Sequence, residues 1–368
     1  MVLGPLHGYP ELGHPAVRKH RQHAHAAMRA AAVSEQDRYA DCGGQPCAAS
    51  GLRAEERSPV GFIVCCLSTG DPFPSHIARQ LARFGARVQH GRMAPALDIP
   101  PHSYGSLIAT TVRIVTWNVW GLYGPWQERE AAIVATLQDA HPDIVVLTES
   151  WAKGADSQCV RLARPLDMPH YTFSGVAAQE DETALSGVAV MSRWPISSRS
   201  GRTFGAVRVE YAEVSGPRGP IRVYGVVMDA WWFDESRARQ DAVRNLLAYV
   251  HESQDERIPL VVCGDFNADP ESDEIRMLSG RTTAPVPGLS FYDAWEVAGP
   301  ADAGFTWSNA NPWATRLLWP DRRIDYIFSA APRRGGAGHP LGATLLGSHP
   351  VDGTYPSDHY GVQADVRY

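Results

Sequence analysis

Lysine is nearly absent from this chain. Lys19 and Lys153 are the only two, so the 34 basic side chains are almost all Arg. Cysteine is scarce as well, with Cys42, Cys47, Cys65, Cys66, Cys159 and Cys263 in 368 residues. That count and spacing exclude a disulfide scaffold. The four Cys before residue 70 also lack the paired C-x2-C spacing of a zinc site. Cys159 and Cys263, 104 positions apart, suit a reducing compartment. No long apolar run is present: Val60–Leu67, the longest near the start, falls well short of the roughly 20 residues of a membrane helix. Met1–Pro10 has no charged stretch leading into an apolar core, so no secretory signal is read there. The expectation is a cytoplasmic, monomeric protein without a transmembrane segment.

Positive charge is missing where a polyanion binder would show it. Residues 1–110 hold 11 Arg+Lys against 8 Asp+Glu, a net of +3; residues 111–368 hold 23 against 32, a net of −9, and the two sum to −6. An acidic domain does not hold polyphosphate by bulk attraction. If its substrate is a phosphate ester, local Arg side chains or a bound cation must supply the positive field. What the chain does have is 44% hydrophobic and 20% charged residues, a globular balance.

The two parts differ in pattern too. Residues 1–108 show no sustained period and read as a poorly structured extension, either disordered or upstream sequence that is not native to the protein, with Thr110-Thr111-Val112 a natural beginning. His14, His20, His23 and His25 lie in an Arg/Ala-rich run that reads as a solvated segment rather than a metal tract. Within it, Ile77, Leu81 and Phe84 have helical spacing over Pro74–Arg87. From Val112 the chain changes. Val112–Asn118 is a β-rich run, Pro125–Ala140 has a helical face with Pro in the first turn, and Ile144–Leu147 is a buried-strand run. Strands are expected at Gly187–Ser192, Ala206–Val214, Ile221–Met228, Leu260–Cys263, Ile324–Phe328 and Gly361–Val366, with a second helix at Ser236–His251. The turn-rich segment 215–220 reads as a hairpin loop. Strands with interposed helices, hairpins and crossovers imply mixed sheets.

Polar residues recur where the apolar strands end. Asn118 closes the first and Glu149 follows the second. Asp265 and Asn267 come in Gly264-Asp265-Phe266-Asn267, Asp325 in Arg323-Ile324-Asp325-Tyr326-Ile327, and Asp358 and His359 in Ser357-Asp358-His359. Any one of them alone is an ordinary turn former or helix cap. Together, carboxylates and amide oxygens from several strand ends make a hard-oxygen site suited to Mg²⁺ or Mn²⁺.

The ordered blocks W-N-V, L-T-E, S-G-V-A-V-M-S-R, G-D-F-N, R-I-D-Y-I and S-D-H resemble those of the endonuclease/exonuclease/phosphatase superfamily. The resemblance covers 111–368 and none of 1–108. It implies an α/β fold, a four-layer sandwich of two mixed sheets flanked by helices. It also implies a divalent-metal phosphoesterase that hydrolyses phosphodiester bonds by in-line attack of water, with nucleic acid first among substrate classes. A phosphatase or phospholipase-C-like enzyme on a small or lipid phosphoester is the second reading. A catalytically inactive binding module is the third. By the resemblance and residue chemistry, Glu149, Asn118 and Asp358 would hold the metal. Asp265 would orient or deprotonate water, Asn267 would position it, His359 would bind a phosphate oxygen, and Asp325 would fix the His359 tautomer.

Departures leave the substrate-reading parts undefined. The N-T-H-L block of many members reads Tyr224-Gly225-Val226-Val227-Met228-Asp229 here, without His; Asp229 is read either as a substrate-side stand-in for part of that role or as a strand-end turn residue. Leu185 stands where apurinic-site endonucleases have Tyr, and Trp120 where they have Asp. Arg322, Arg323 and Trp231 are read as substrate contacts. Trp232, Phe233, Trp307, Trp313 and Trp319 are further aromatics near the expected site, for stacking or for core packing.

Overall fold

The computed structural model describes residues 104–368 apart from 179–180, 206, 230–235, 254 and 256. The first four Cys, the His-rich run, Pro74–Arg87, and Trp231, Trp232 and Phe233 lie outside the described residues. Tyr104–Ile108, read from sequence as part of the extension, docks on the domain: Ile108 N–H donates to Gly335 O and Gly335 N–H to Tyr104 O.

Two mixed sheets are stacked. The first has the order β12 (Pro340–Leu346), β13 (Gly361–Arg367), β1 (Thr111–Asn118), β2 (Ile144–Lys153), β5 (Leu185–Ser192), β4 (His170–Ala177), with the short β3 (Asp156–Ser157) on β2. The second runs β10 (Phe291–Asp293), β11 (Asp325–Ala330), β9 (Leu260–Asp265), β8 (Gly219–Met228), β7 (Val207–Gly216), β6 (Ile196–Phe204). Each contains one parallel pair, β1 with β2 and β8 with β9. A helix makes each of those crossovers: α1 (Trp126–Ala140) and α3 (Ser236–Ser253). The short α2 (Gln158–Ala163), α4 (Asp273–Leu278) and α5 (Ala294–Ala298) complete the α-helices among the described residues. None of these helices is long and apolar enough to cross a membrane.

Strand alternation builds the layers. Val112, Ile114, Val146 and Val190 of the first sheet meet Ala212, Val223, Val261 and Ile327 of the second in one core. The opposite face of the first sheet, with Val115, Trp117 and Leu147, packs on Ile133 and Leu137 of α1. The opposite face of the second, with Val209, Val226 and Val262, packs on Val243, Leu246 and Leu247 of α3. Burying each such aliphatic side chain contributes roughly 1.5–3 kcal/mol. The layers are helix, sheet, sheet, helix, as the resemblance implies.

Two expectations need correction. The β7–β8 hairpin is tighter than the six-residue loop read from sequence: pairing continues to Gly216 and Gly219, leaving Pro217 and Arg218 as the turn. Gly219 takes φ +122, which a side chain disfavours, and that freedom closes the hairpin. β2 also continues beyond Leu147 through Glu149, because a bulge lets pairing with β5 resume at Ser150.

Candidate active site

Alternation carries the polar strand ends to one place. Asn118 continues the inter-sheet face of Val112 and Ile114, Asp265 that of Val261 and Cys263, and Asp325 that of Ile327. Asp325 pairs directly with Asp265 across β11 and β9. Glu149 would face the helices in a regular strand. Instead, Leu147 pairs with Ala189 and Ser150 with Gly187, so one residue is extra, and Glu149 takes φ +53. The bulge re-aims its carboxylate toward Asn118 at a strain of order 1–3 kcal/mol. Trp120 (φ +55) and Asn267 (φ +50) are strained in the same way beside the site. Gly264 is required for the approach of β9 to β8: at φ +147, an added Cβ would lie 1.8 Å from Val226 O.

Asn118 is the hub. Its Nδ2 donates to Glu149 Oε1 (3.0 Å) and to Asp265 Oδ2 (2.9 Å), while its Oδ1 accepts from Trp120 N–H (3.0 Å). The other Asp265 oxygen accepts from Asn267 N–H (2.9 Å), and Asn267 Nδ2 donates to Met228 O (2.7 Å). His359 Nδ1 and Asp325 Oδ2 are 2.8 Å apart. Ser357 Oγ donates to Asn118 O (2.7 Å) and accepts from His359 N–H (3.3 Å), and Trp117 Nε1 donates to His359 O (3.0 Å). These bonds tie the S-D-H block to the end of β1. The His359 ring also stands edge-on to Trp307, with centroids 5.0 Å apart.

Asn118, Asp265, Asp325, Asp358 and His359 are all buried. Burial raises the Asp265 carboxyl well above its usual range, with the Asp325 charge adding to it against His359, Asn118 and the Asn267 N–H. Burial likewise lifts Asp358 to about 6. Burial alone would lower the His359 imidazolium, but the charge and hydrogen bond of Asp325, with Asp265 and Asp358, carry it up to about 10. Asp265, Asp325 and His359 each offer a ligand atom within 4.8 Å of the others.

Sequence reading missed Arg129 of α1. It is 1% exposed and donates to the carbonyls of Val119, Trp120, Gly121, Tyr123 and Pro356 at 2.8–3.2 Å. It thus joins the loop after Asn118 to the loop before Asp358. Burial lowers its pKa to about 10 against the charges of Asp358 and Glu149, so it remains a cation at neutral pH. The only signal was an Arg on the otherwise apolar side of a predicted helix.

Of the residues read as substrate contacts, Trp231 lies outside the described residues, Arg322 touches the group through Nη2 to Asn267 O (3.3 Å), and Arg322, Arg323 and Asp229 are each held by a charged partner. Arg322 is ion-paired with Asp269 (2.9 Å). Arg323 is buried against Asp293 and stacks over Tyr326. Asp229 faces Arg208 (3.2 Å). Arg322 is bridged to Trp307 just before β11, and Arg323 follows it. Of the aromatics, Trp307 and Trp319 pack together, and Trp313 packs on Trp120.

The model of the Endonuclease/Exonuclease/phosphatase family matches residues 115–359. An uncharacterized Caenorhabditis elegans protein is 22% identical over 309 residues, covering 72% of this chain and 95% of its own length. Among solved structures, truncated Caenorhabditis elegans TDP2 superposes with a TM-score of 0.55 at 18% identity over 72% of this chain and 100% of that one. An endonuclease/exonuclease/phosphatase from Beutenbergia cavernae gives 0.53 at 24% identity, over 70% and 72%. TDP2 of D. rerio, complexed with a single-strand DNA product, gives 0.53 at 19% identity, over 70% and 99%. At these identities the structural likenesses establish the fold.

Proposed function

The chain belongs to the endonuclease/exonuclease/phosphatase family, and from that premise we propose that it is a divalent-cation-dependent phosphodiesterase acting on nucleic acid, with residues 111–368 as its catalytic domain. One observation carries the reading. Four carboxylates, Glu149, Asp265, Asp325 and Asp358, converge with two cationic side chains, His359 and Arg129. The ionised cluster is short by two positive charges, which a divalent cation supplies. The donor set fits such an ion, because carboxylate and amide oxygens suit Mg²⁺ or Mn²⁺. Glu149 and Asp358 would hold it, with Asn118 flanking them through its Nδ2 bond to Glu149, since His359 and Asp325 already neutralise one another. When bound, it supplies Lewis-acid polarisation of a phosphoryl oxygen.

The side chains supply the rest. His359 is held by Asp325 through Nδ1, so its Nε2–H is the donor left for a phosphate oxygen, and as an imidazolium it stabilises growing negative charge. Asp265 is fixed through both oxygens by Asn118 and Asn267, and its raised pKa suits a base that orients and deprotonates the attacking water. Asn267, locked at positive φ, keeps that carboxylate aimed. No covalent intermediate is needed.

The test is hydrolysis by purified protein with Mg²⁺ or Mn²⁺ of single-stranded DNA and RNA, plasmid, bis-p-nitrophenyl phosphate, sphingomyelin and inositol phosphates. Cleavage of nucleic acid and of the diester is expected, with loss on chelation and in Asp265→Ala. Cleavage confined to lipid or to inositol phosphates would refute it.

A pH dependence follows. The Asp358 carboxyl sits above its unfolded value of 3.8. Its contribution to stability is therefore full below pH of about 4 and lost as pH rises through about 6. Asp265 works in the same direction. In EDTA, the thermal midpoint is expected to fall as pH goes from 4 toward 7. Millimolar Mg²⁺ should restore it, by more at pH 8 than at pH 5.

A further inference from the structure

A second polar hollow lies on the same rim of the sandwich as the acid cluster. Across the second sheet, Asp325, Asp265, Val227, Arg208 and Thr203 are paired in one continuous row. In the first sheet, Ser150, Gly187 and Gly175 continue outward from Glu149 in the same sense. Where the outer ends of the two rows meet there is a cavity of about 160 Å³, lined by Ser174, Gly175, Gly201, Arg202 and Arg208 among others. Alternation explains the Arg. Val207 and Val209 pack toward α3, and Ala212 and Val214 between the sheets, so Arg208 lies on the inter-sheet side at the rim.

Arg208 is set up for an acceptor. Its Nε is buried and has no partner among the described residues. Its Nη2 faces Asp229 at 3.2 Å, a partly exposed pair of the kind that contributes little. Arg202, paired with Val209, stands 5.4 Å over the Tyr249 ring of α3, so its guanidinium lies on the helix side of β6, away from the inter-sheet hollow. Gly201 has no Cβ, which would otherwise meet Ser174 at 2.6 Å and close the hollow. Two strand spacings of about 4.8 Å put the Arg208 backbone roughly 10 Å from Asp265. A small phosphoester seated on Asp265 and His359 does not reach that far, whereas a strand carrying further phosphates does.

We propose that this hollow is a subsite for a second backbone phosphate of a nucleic-acid strand, flanking the bond that is cleaved and held by Arg208. The inference rests on the reading of the acid cluster as a phosphodiesterase centre. It also places the positive field that the acidic domain needs, since Arg322 and Arg323 are tied to Asp269 and Asp293.

The test compares wild type with Arg208→Gln on two substrates, bis-p-nitrophenyl phosphate and a single-stranded nonanucleotide. The variant is expected to raise KM for the oligonucleotide about tenfold and to leave kcat/KM for the small diester unchanged. Binding of the labelled oligonucleotide by anisotropy, in Ca²⁺, should show a salt slope shallower by about 0.7 for each contact removed. Equal losses on both substrates, or an unchanged KM and salt slope, would overturn the subsite. So would binding of phosphoinositide vesicles in preference to the oligonucleotide. If wild type hydrolyses neither substrate, the phosphodiesterase reading falls, and the anisotropy series still decides the subsite.

Discussion

His359→Gln is expected to lower kcat for phosphodiester hydrolysis by about 10²–10³-fold, the usual loss when one preorganised donor to a developing oxyanion is removed. The substrate KM should change far less, because the donor works mainly as charge builds up. The reason lies in the pairing with Asp325, which consumes Nδ1 and holds the imidazolium with Nε2–H free to donate. Asp325→Asn separates orientation from charge. It keeps a hydrogen-bond partner but removes the negative charge that raises His359, so the imidazolium titrates at lower pH. The alkaline limb of the kcat profile, set near 10 in the wild type by that pair, should therefore move toward neutrality. A profile unmoved by Asp325→Asn would mean that His359 does not act as the cation. Losses in a double His359→Gln, Asp265→Asn variant should be far from multiplicative, since the residues act as a unit.

Arg129→Met is expected to cost about 3–5 kcal/mol of stability, the range for breaking a buried charged network by removing one partner. That is a large share of the roughly 5–15 kcal/mol that holds a domain folded. The loss comes from the carbonyls of Val119, Trp120, Gly121, Tyr123 and Pro356, which are left without their donor, and from Glu149 and Asp358, which lose a neighbouring cation. Arg129→Lys keeps the charge but has three donors on one atom in place of a planar fork, so it should fall between. Urea unfolding measures both. A change below 1 kcal/mol in Arg129→Met would show that the two loops hold their positions without it.

The sequence made the layered fold legible because its central strands are short apolar runs between turns. β1, β5, β8, β9, β11 and β13 were each expected within one to three residues of where they lie. The edge strands were not. β6, Ile196–Phe204, is exposed along most of its length and has no apolar alternation to betray it. β4 and β12 are half-exposed in the same way, and β10 is three residues long. In the site, G-D-F-N, R-I-D-Y-I and S-D-H fixed which polar groups meet, because their positions at strand ends follow from the period of two. What stayed hidden depends on partners distant in sequence. Arg322 and Arg323 look like phosphate binders beside Asp325, and only the fold brings Asp269 and Asp293 to them. Arg208 looks like an ordinary strand residue, and only the stacking of the sheets puts it on the rim.

The central claim is that Glu149 and Asp358, flanked by Asn118, hold one divalent cation beside Asp265 and His359. Anomalous diffraction from crystals grown with Mn²⁺ tests it most directly. One strong peak bonded to the Glu149 carboxylate, lost in Glu149→Gln, is the expected result. A peak bounded only by Asp265, Asp325 and His359, or no peak at saturating Mn²⁺, would contradict the account.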